Sequence, residues 1–345
     1  MRVLVIAPNW IGDAVMSLSL LDALHADQSL YFSNGKPCEI EVLASTITAP
    51  VYQFSPLVHA VHAEPFAHGA LQWGLRCRVG KALRAKQFDL AFVLPNSLKS
   101  ALVPWFANIP VRIGYGGELR ALVLSKALRK PSKQNKPSML QWYGALGGYD
   151  QTALRNPTLQ VGAKAEEQVC AHFHVQLGFL AVSPGAEYGL AKRWPVGHFA
   201  AVVSAFLQAK PTQHAVLLGG PKDVAVCSAI ADGVPLALRG RVVVLAGKTS
   251  LSQAVVLLSA AGQLLTNDSG LMHVAAALGV RVQAVFGSSS PHHTPPLSPS
   301  ATVHYLALAC SPCFQRTCPL GHMDCLVKLQ PKTVIDALDL NSEAV

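Results

Sequence analysis

Leu264-Leu265-Thr266-Asn267-Asp268-Ser269-Gly270-Leu271-Met272-His273 runs from apolar residues through a short polar step into a helical pattern. It reads as a buried strand whose carboxyl end opens a helix, the join from which doubly wound α/β sheets are built. The same pattern recurs on either side. Strands are predicted at Phe179–Ser183, Ala215–Leu218, Val242–Leu245, Gln263–Thr266 and Val282–Phe286, with helices beginning near Val196, Asp223, Ser252 and Gly270. The first half carries predicted strands at Arg2–Ala7, Ile40–Ser45 and Leu90–Leu94, and helices at Ala14–His25, Leu71–Lys86 and Ser97–Phe106. Strands and helices in alternation mean parallel sheets. A polar, proline-containing stretch from Ala127 to Pro137 reads as a mobile loop, and Arg155 to Ala165 as the link between the halves. The predicted fold class is α/β: two Rossmann-like doubly wound domains, 1–160 and 161–345, facing a central cleft. Ligands are then expected beyond the carboxyl ends of the strands.

Bulk properties narrow the function classes. The 345 residues are 51% hydrophobic and 14% charged, which suits sheets buried on both faces. No apolar run reaches the roughly 18 to 20 residues that a membrane-spanning helix requires. The first residues lead straight into a strand with no signal-peptide pattern, so the expected location is cytoplasmic and the eight cysteines are expected reduced or metal-bound. Residues 1–160 hold 16 Lys and Arg against 9 Asp and Glu, so the first half carries most of the net +9. These cations gather at Arg76, Arg78, Lys81, Arg84 and Lys86, and again from Arg120 through Arg129, Lys130, Lys133 and Lys136. They form either an ordinary solvated basic surface or the footprint of an anionic partner or membrane surface. Nucleic acid is not expected as a partner, because no recognised nucleic-acid module accompanies the charge.

The loops after the strands carry the candidate chemistry. Pro8-Asn9-Trp10-Ile11-Gly12-Asp13 contains one glycine, so it is neither a dinucleotide fingerprint nor a P-loop. Asp13 reads either as the N-cap of the next helix or as a carboxylate that takes a proton from a bound hydroxyl. In Ser183-Pro184-Gly185-Ala186-Glu187-Tyr188-Gly189-Leu190-Ala191-Lys192-Arg193-Trp194-Pro195, two adjacent cations sit where a phosphate would lie, and Pro195 suits the first position of a helix. Backbone N–H groups of Ser269, Gly270 and Leu271 at a helix start make an anion site. Asp268 would repel a diphosphate, so if functional it contacts sugar hydroxyls, while His273 one turn on is either a core histidine or a ligand contact. Phe286-Gly287-Ser288-Ser289-Ser290-Pro291-His292-His293-Thr294-Pro295-Pro296 brings hydroxyls and imidazoles to the same edge, or simply forms a rigid turn. No two Asp residues are spaced Asp-x-Asp, the pattern by which many sugar-nucleotide enzymes hold a divalent metal. Cys310, Cys313, Cys318 and Cys325, with His322 among them, approach metal-ligand spacing, but their later intervals fit no standard zinc pattern. A structural metal site and a loop of reduced thiols are both open.

Together, Pro8 to Asp13, the Pro184-Gly185-Ala186-Glu187-Tyr188…Ala191-Lys192-Arg193-Trp194-Pro195 segment, Thr266 to His273 and Ser289-Ser290-Pro291…Thr294-Pro295-Pro296-Leu297 resemble the bacterial ADP-heptose:lipopolysaccharide heptosyltransferases, most nearly the type II members. The resemblance implies a GT-B fold, with acceptor held by the first domain and ADP-heptose by the second. It implies inverting transfer of L-glycero-D-manno-heptose without a required cofactor, onto a heptosylated Kdo-lipid A acceptor, with peripheral contact at the cytoplasmic face of the inner membrane. By the same resemblance Asp13 is the base, Lys192 binds the diphosphate, and Ser269, Gly270 and Leu271 offer it N–H groups. Asp268 and His273 would contact the heptose, and Asp223, after Gly219-Gly220, the ribose. Type I or III transfer to a different acceptor is the nearest alternative, and a non-catalytic sugar-nucleotide binder the alternative from another class. An oxidoreductase is disfavoured by the missing dinucleotide fingerprint.

Overall fold

The computed structural model describes residues 1–67, 69–131 and 137–340. The chain divides into two compact units, Met1–Gln160 and Val161–Val345. The first contains β1 (Arg2–Ile6), α1 (Ile11–Ala26), β2 (Glu39–Ser45), α2 (Ala49–Gln53), β3 (Ala60–Glu64), α3 (Trp73–Leu83), β4 (Leu90–Val93), α4 (Leu98–Phe106), β5 (Val111–Tyr115), β6 (Lys126–Leu128) and α5 (Met139–Gly147). The second contains α6 (Ala163–Phe173), β7 (Leu180–Ser183), α7 (Val196–Ala209), β8 (Ala215–Leu217), α8 (Val224–Gly233), α9 (Leu236–Arg239), β9 (Val242–Val244), α10 (Leu251–Ala260), β10 (Gln263–Asn267), α11 (Gly270–Ala277), β11 (Arg281–Val285), β12 (Ala301–His304), α12 (Asp324–Val327) and α13 (Pro331–Ile335).

Each unit folds around one six-stranded sheet. The orders are β3-β2-β1-β4-β5-β6 and β12-β11-β10-β7-β8-β9, which are the same winding relative to each unit's own first strand. Every described strand pair is parallel. This is the Rossmann order, so each unit is a doubly wound α/β domain. In each sheet the winding reverses next to the first strand, between β1 and β4 and between β7 and β10. The loops leaving the carboxyl ends of those four strands therefore flank the natural ligand positions.

The central strands owe their place to continuous apolar runs. Val3, Leu4 and Val5 in β1 and Leu180, Ala181 and Val182 in β7 are fully buried, as strands covered on both faces must be. In the second unit Trp194 anchors the core, its ring edge-on to Phe199 at 5.2 Å and its Nε1 donating to the Leu329 carbonyl at 3.0 Å. Helices α5 and α10 begin at reciprocal caps, Ser138 with Gln141 and Ser250 with Gln253, which satisfy N–H groups that the helix cannot.

The structure adjusts several predicted elements. Lys126–Leu128, overlapping the start of the expected loop, pairs with β5 as an edge strand, and positions 132–136 of that loop, with Lys133 and Lys136, lie outside the described residues. The expected link at Arg155–Ala165 already contains the start of α6. Pro195 caps α7 in an extended conformation, one residue before the first helical position. Arg84–Lys86 follow α3 as a 3-10 turn. Among the described residues no helix is long and apolar enough to cross a membrane.

Candidate active site

At the β7/β10 reversal, two loops are tied together from beneath. Asn267, the last residue of β10, is wholly buried; its Nδ2 donates to the Pro184 carbonyl at 2.6 Å and its Oδ1 accepts from the Trp194 N–H at 3.0 Å. One amide thus grips both ends of the loop that carries Lys192 and Arg193. Thr266 adds a second tie, donating toward the Ser183 carbonyl and lying 3.1 Å from Ser269 Oγ.

The grip places Lys192 against the next loop. Its Nζ lies 2.5 Å from Asp268 Oδ2, with both side chains largely buried, and 5.2 Å from the centre of the Tyr188 ring. The Arg316 guanidinium stands over the same ring, also at 5.2 Å. Asp268 is thereby neutralised by Lys192, which reduces the repulsion this carboxylate would exert on a neighbouring anion. A sugar hydroxyl still finds acceptor lone pairs on this carboxylate.

Ser269 is the N-cap of α11 but makes no side-chain capping bond. Ser269, Gly270 and Leu271 are half-buried, whereas Met272 to Ala277 are buried. The helix therefore presents its first N–H groups at an accessible end, where the dipole favours an anion. One turn on, His273 is 4% exposed and its Nδ1 has no hydrogen-bond partner. Burial pushes its pKa down to about 4 against the opposing pull of Asp268, which keeps the ring neutral. Ser288 and Ser289, after β11, are buried with hydroxyls equally unpartnered. His273 and Ser289 thus each carry a buried polar atom with no hydrogen-bond partner among the described residues, as does Ser288, which faces a cavity of cysteines.

Asp223, the residue expected at the ribose, has partners within its own unit. Its carboxylate accepts from the Gly220 N–H at 3.0 Å and lies 3.6 Å from Arg193 Nη2. It also fills the space that side chains would occupy at Gly185 and Gly219, where an added Cβ would come within 2.6 Å of it. Those glycines are required by this close approach, and Asp223 braces the loop from the Arg193 side.

In the first unit, Asp13 is the third residue of α1, not its N-cap; Trp10 holds that position, without a side-chain bond. The capping reading is therefore corrected, although a carboxylate in a first turn still gains from the helix dipole. Asp13 is half-buried, and its charge acts on the buried hydroxyls of Tyr52 and Tyr143, adding to the burial that raises both pKa values. The loop before it is tied to the neighbouring strand end by Thr48 Oγ1, which donates to the Pro8 carbonyl at 3.3 Å.

Two of the basic residues read as surface cations are not on the surface. Arg120 is fully buried, donating to the Tyr115 and Val93 carbonyls, and burial lowers its pKa to about 10. Arg76 is 5% exposed. Arg78, Lys81, Arg84, Arg129 and Lys130 are exposed. The Cys310, Cys313, Cys318 and Cys325 thiols line one cavity with His322 and Ser288, all four cysteines free, yet among the described residues no three His, Cys, Asp or Glu side chains stand as a metal ligand set.

Known proteins resemble this chain over nearly its whole length. The model of glycosyltransferase family 9 (heptosyltransferase) covers residues 76–324, well over half of the chain. This chain belongs to glycosyltransferase family 9, the heptosyltransferases. Lipopolysaccharide heptosyltransferase 2 of Salmonella typhimurium is 37% identical over 98% of this chain and 97% of its own. Lipooligosaccharide heptosyltransferase 2 of Haemophilus influenzae is 39% identical over 88% of each chain. The solved structure of ADP-heptose lipopolysaccharide heptosyltransferase II from Escherichia coli superimposes with a TM-score of 0.83 at 36% identity, covering 98% of this chain and 97% of that one.

The sequence pattern singled out the Lys192 and Ser269–Leu271 loops as candidates, and the structure places Lys192 against Asp268 beside the start of α11. It did not identify Asn267 as a brace, nor Tyr188 with Arg316. Those depend on partners 73 to 128 residues away in the chain, for which local pattern carries no signal.

Proposed function

We propose that this heptosyltransferase moves L-glycero-D-manno-heptose from ADP-heptose onto the first heptose of the lipopolysaccharide inner core, the type II reaction. The observation that carries the reading is the Lys192–Asp268 pair beside the open N-terminus of α11. It offers a cation and N–H groups to a diphosphate and a carboxylate to sugar hydroxyls. The near-full-length likeness to heptosyltransferases 2 supports type II over types I and III.

In this reading the second unit holds ADP-heptose and the first holds the acceptor. Asp13 takes the proton of the acceptor hydroxyl as its oxygen bonds to the anomeric carbon. The bond from that carbon to the phosphate oxygen breaks, and ADP leaves with the electron pair. Charge grows on the leaving diphosphate in an oxocarbenium-like transition state, where Lys192 and the α11 N–H groups meet it. His273, neutral, contacts the heptose, and Ser288 and Ser289 complete the polar wall. Transfer needs no metal in this scheme, since Lys192 and a helix terminus supply the positive charge and no Asp-x-Asp pair exists; full activity after chelator treatment is the expected check. The enzyme works in the cytoplasm, in peripheral contact with the membrane that carries its acceptor.

A product assay with ADP-heptose and acceptors bearing zero, one or two heptoses tests the assignment. Transfer to the one-heptose acceptor alone supports it. Transfer only to the others reassigns the type, and no transfer to any defeats the reading.

A further inference from the structure

At the carboxyl edge of the first sheet, by the β1/β4 reversal, a small cavity is lined by Asn9, Ser45, Phe66, Arg76, Ser97, Lys99 and Ser100, among apolar neighbours. It contains two cations and no carboxylate. Arg76 is the unusual member. Its guanidinium is 4.4 Å from the Phe66 ring centre, and its Nε donates to the Leu71 carbonyl at 2.7 Å. No carboxylate among the described residues forms an ion pair with it, although it is nine-tenths buried.

A buried charge without a counter-ion is costly, and buried arginines are ordinarily paired. Burial alone displaces the pKa of Arg76 downward, with no neighbouring carboxylate opposing it. The rest of the cavity wall is what an oxyanion needs. Lys99 lies in the first turn of α4, whose N-terminus favours negative charge, and the Ser97 and Ser100 hydroxyls, 2.6 Å apart, are at the same helix start. Glu118 already accepts from the Leu98 N–H, and the Ser100 N–H and hydroxyl both donate to the Ser97 carbonyl, so the groups left for an anion in this cavity are the Arg76 guanidinium and the Lys99 ammonium. The loop that contributes Asn9 leads within four residues to Asp13.

We infer that this cavity is an oxyanion subsite, in which Arg76 and Lys99 bind a phosphate or carboxylate group of the acceptor and so bring its nucleophilic hydroxyl to Asp13. The inference rests on the proposed reaction for the identity of the ligand, and on the unpaired Arg76 for its chemistry. The forked guanidinium suits two oxygens of one group, while Lys99 adds a point charge.

The test compares wild type with Lys99→Gln, Arg76→Gln and Arg76→Lys on three acceptors: native, phosphate-free, and with carboxylates converted to amides. On the native acceptor, loss of one charge-assisted contact should raise acceptor KM about tenfold, with KM for ADP-heptose held and Arg76→Lys partly rescuing. The penalty should vanish on whichever modified acceptor lacks the bound group, which names the source as phosphate or carboxylate. A penalty of equal size on all three acceptors overturns the inference. Lys99 is partly exposed, so its variant reports even where Arg76→Gln fails to fold. If wild type transfers to no acceptor, the proposed reaction fails and the subsite is judged separately. Inorganic phosphate should then raise the melting temperature of wild type more than that of Lys99→Gln, and an equal shift in both overturns it.

Discussion

At the scale of single residues, the proposed chemistry rests on carboxylates whose surroundings differ. Asp268 is buried against Lys192, whereas Asp13 stands half-buried in the first turn of α1. Asp13→Asn keeps shape and hydrogen bonding but removes the proton acceptor. It should lower kcat by about 10²- to 10⁴-fold, the usual worth of a positioned base. Calorimetry should meanwhile return a nearly unchanged Kd for ADP-heptose, and a large loss of donor affinity would contradict the assignment. The Lys192–Asp268 pair makes a different prediction. Lys192→Met strands a buried carboxylate and should destabilise the protein by about 3 kcal/mol in urea unfolding, as breaking a buried pair does. The double variant Lys192→Met with Asp268→Leu should regain much of that stability without regaining transfer. Local sequence showed that Asp13 and Lys192 were candidates, yet it placed Arg120 on the surface. The carbonyls of Tyr115 and Val93 that enclose Arg120 come from strand ends, and charge composition does not reveal them.

At the scale of elements, the central strands were readable because burial on both faces demands apolar runs, as in β1 and β7. The outlying strands lacked that signal. β3 reads Ala-Val-His-Ala-Glu and is only partly buried, β6 has three residues, and β12 has one buried residue in four. They are strands because a neighbour supplies a ladder, which is a tertiary fact. The β2 interior hides another such fact in Glu41, wholly buried, whose carboxylate meets Arg2 at 2.7 Å, His62 at 2.6 Å and Lys86 at 3.0 Å. Burial pushes its pKa up, but the His62 and Lys86 hydrogen bonds outweigh it, and the carboxyl stays below its ordinary value. A lowered folded-state pKa gives stability that is present above the unfolded value, about 4.3 for Glu, and is lost as pH falls through the folded one. Urea midpoints should therefore fall below about pH 4.5 more steeply in wild type than in Glu41→Gln, which should be weaker at neutral pH. Parallel curves would remove Glu41 as a source of acid sensitivity.

For the whole molecule, charge is divided unevenly between two sheets of the same winding. Most of the net +9 belongs to residues 1–160, while residues 161–345 are close to balanced. With Arg120 and Arg76 buried, the outward field of the first unit comes from exposed cations such as Arg78, Lys81, Arg84, Arg129 and Lys130. Scattered lysines and arginines contribute about 1 kcal/mol each near an anionic lipid surface, and the attraction dies within a Debye length, about 10 Å at 0.1 M salt. Peripheral binding should accordingly be weak, reversible and dependent on salt. Co-sedimentation with vesicles containing phosphatidylglycerol should bring down the enzyme at low ionic strength and release it as salt rises, whereas vesicles of neutral lipid should not bind it. Arg129→Glu should reduce the bound fraction while leaving the melting temperature in place, because its side chain is exposed. Arg120→Glu belongs to another class: a carboxylate facing the Tyr115 and Val93 carbonyls should unfold the protein before it reports on any membrane. If Arg129→Glu binds vesicles as wild type does, and salt has no effect, the basic half is a solvated surface and the acceptor's own lipid must bring the enzyme to the bilayer.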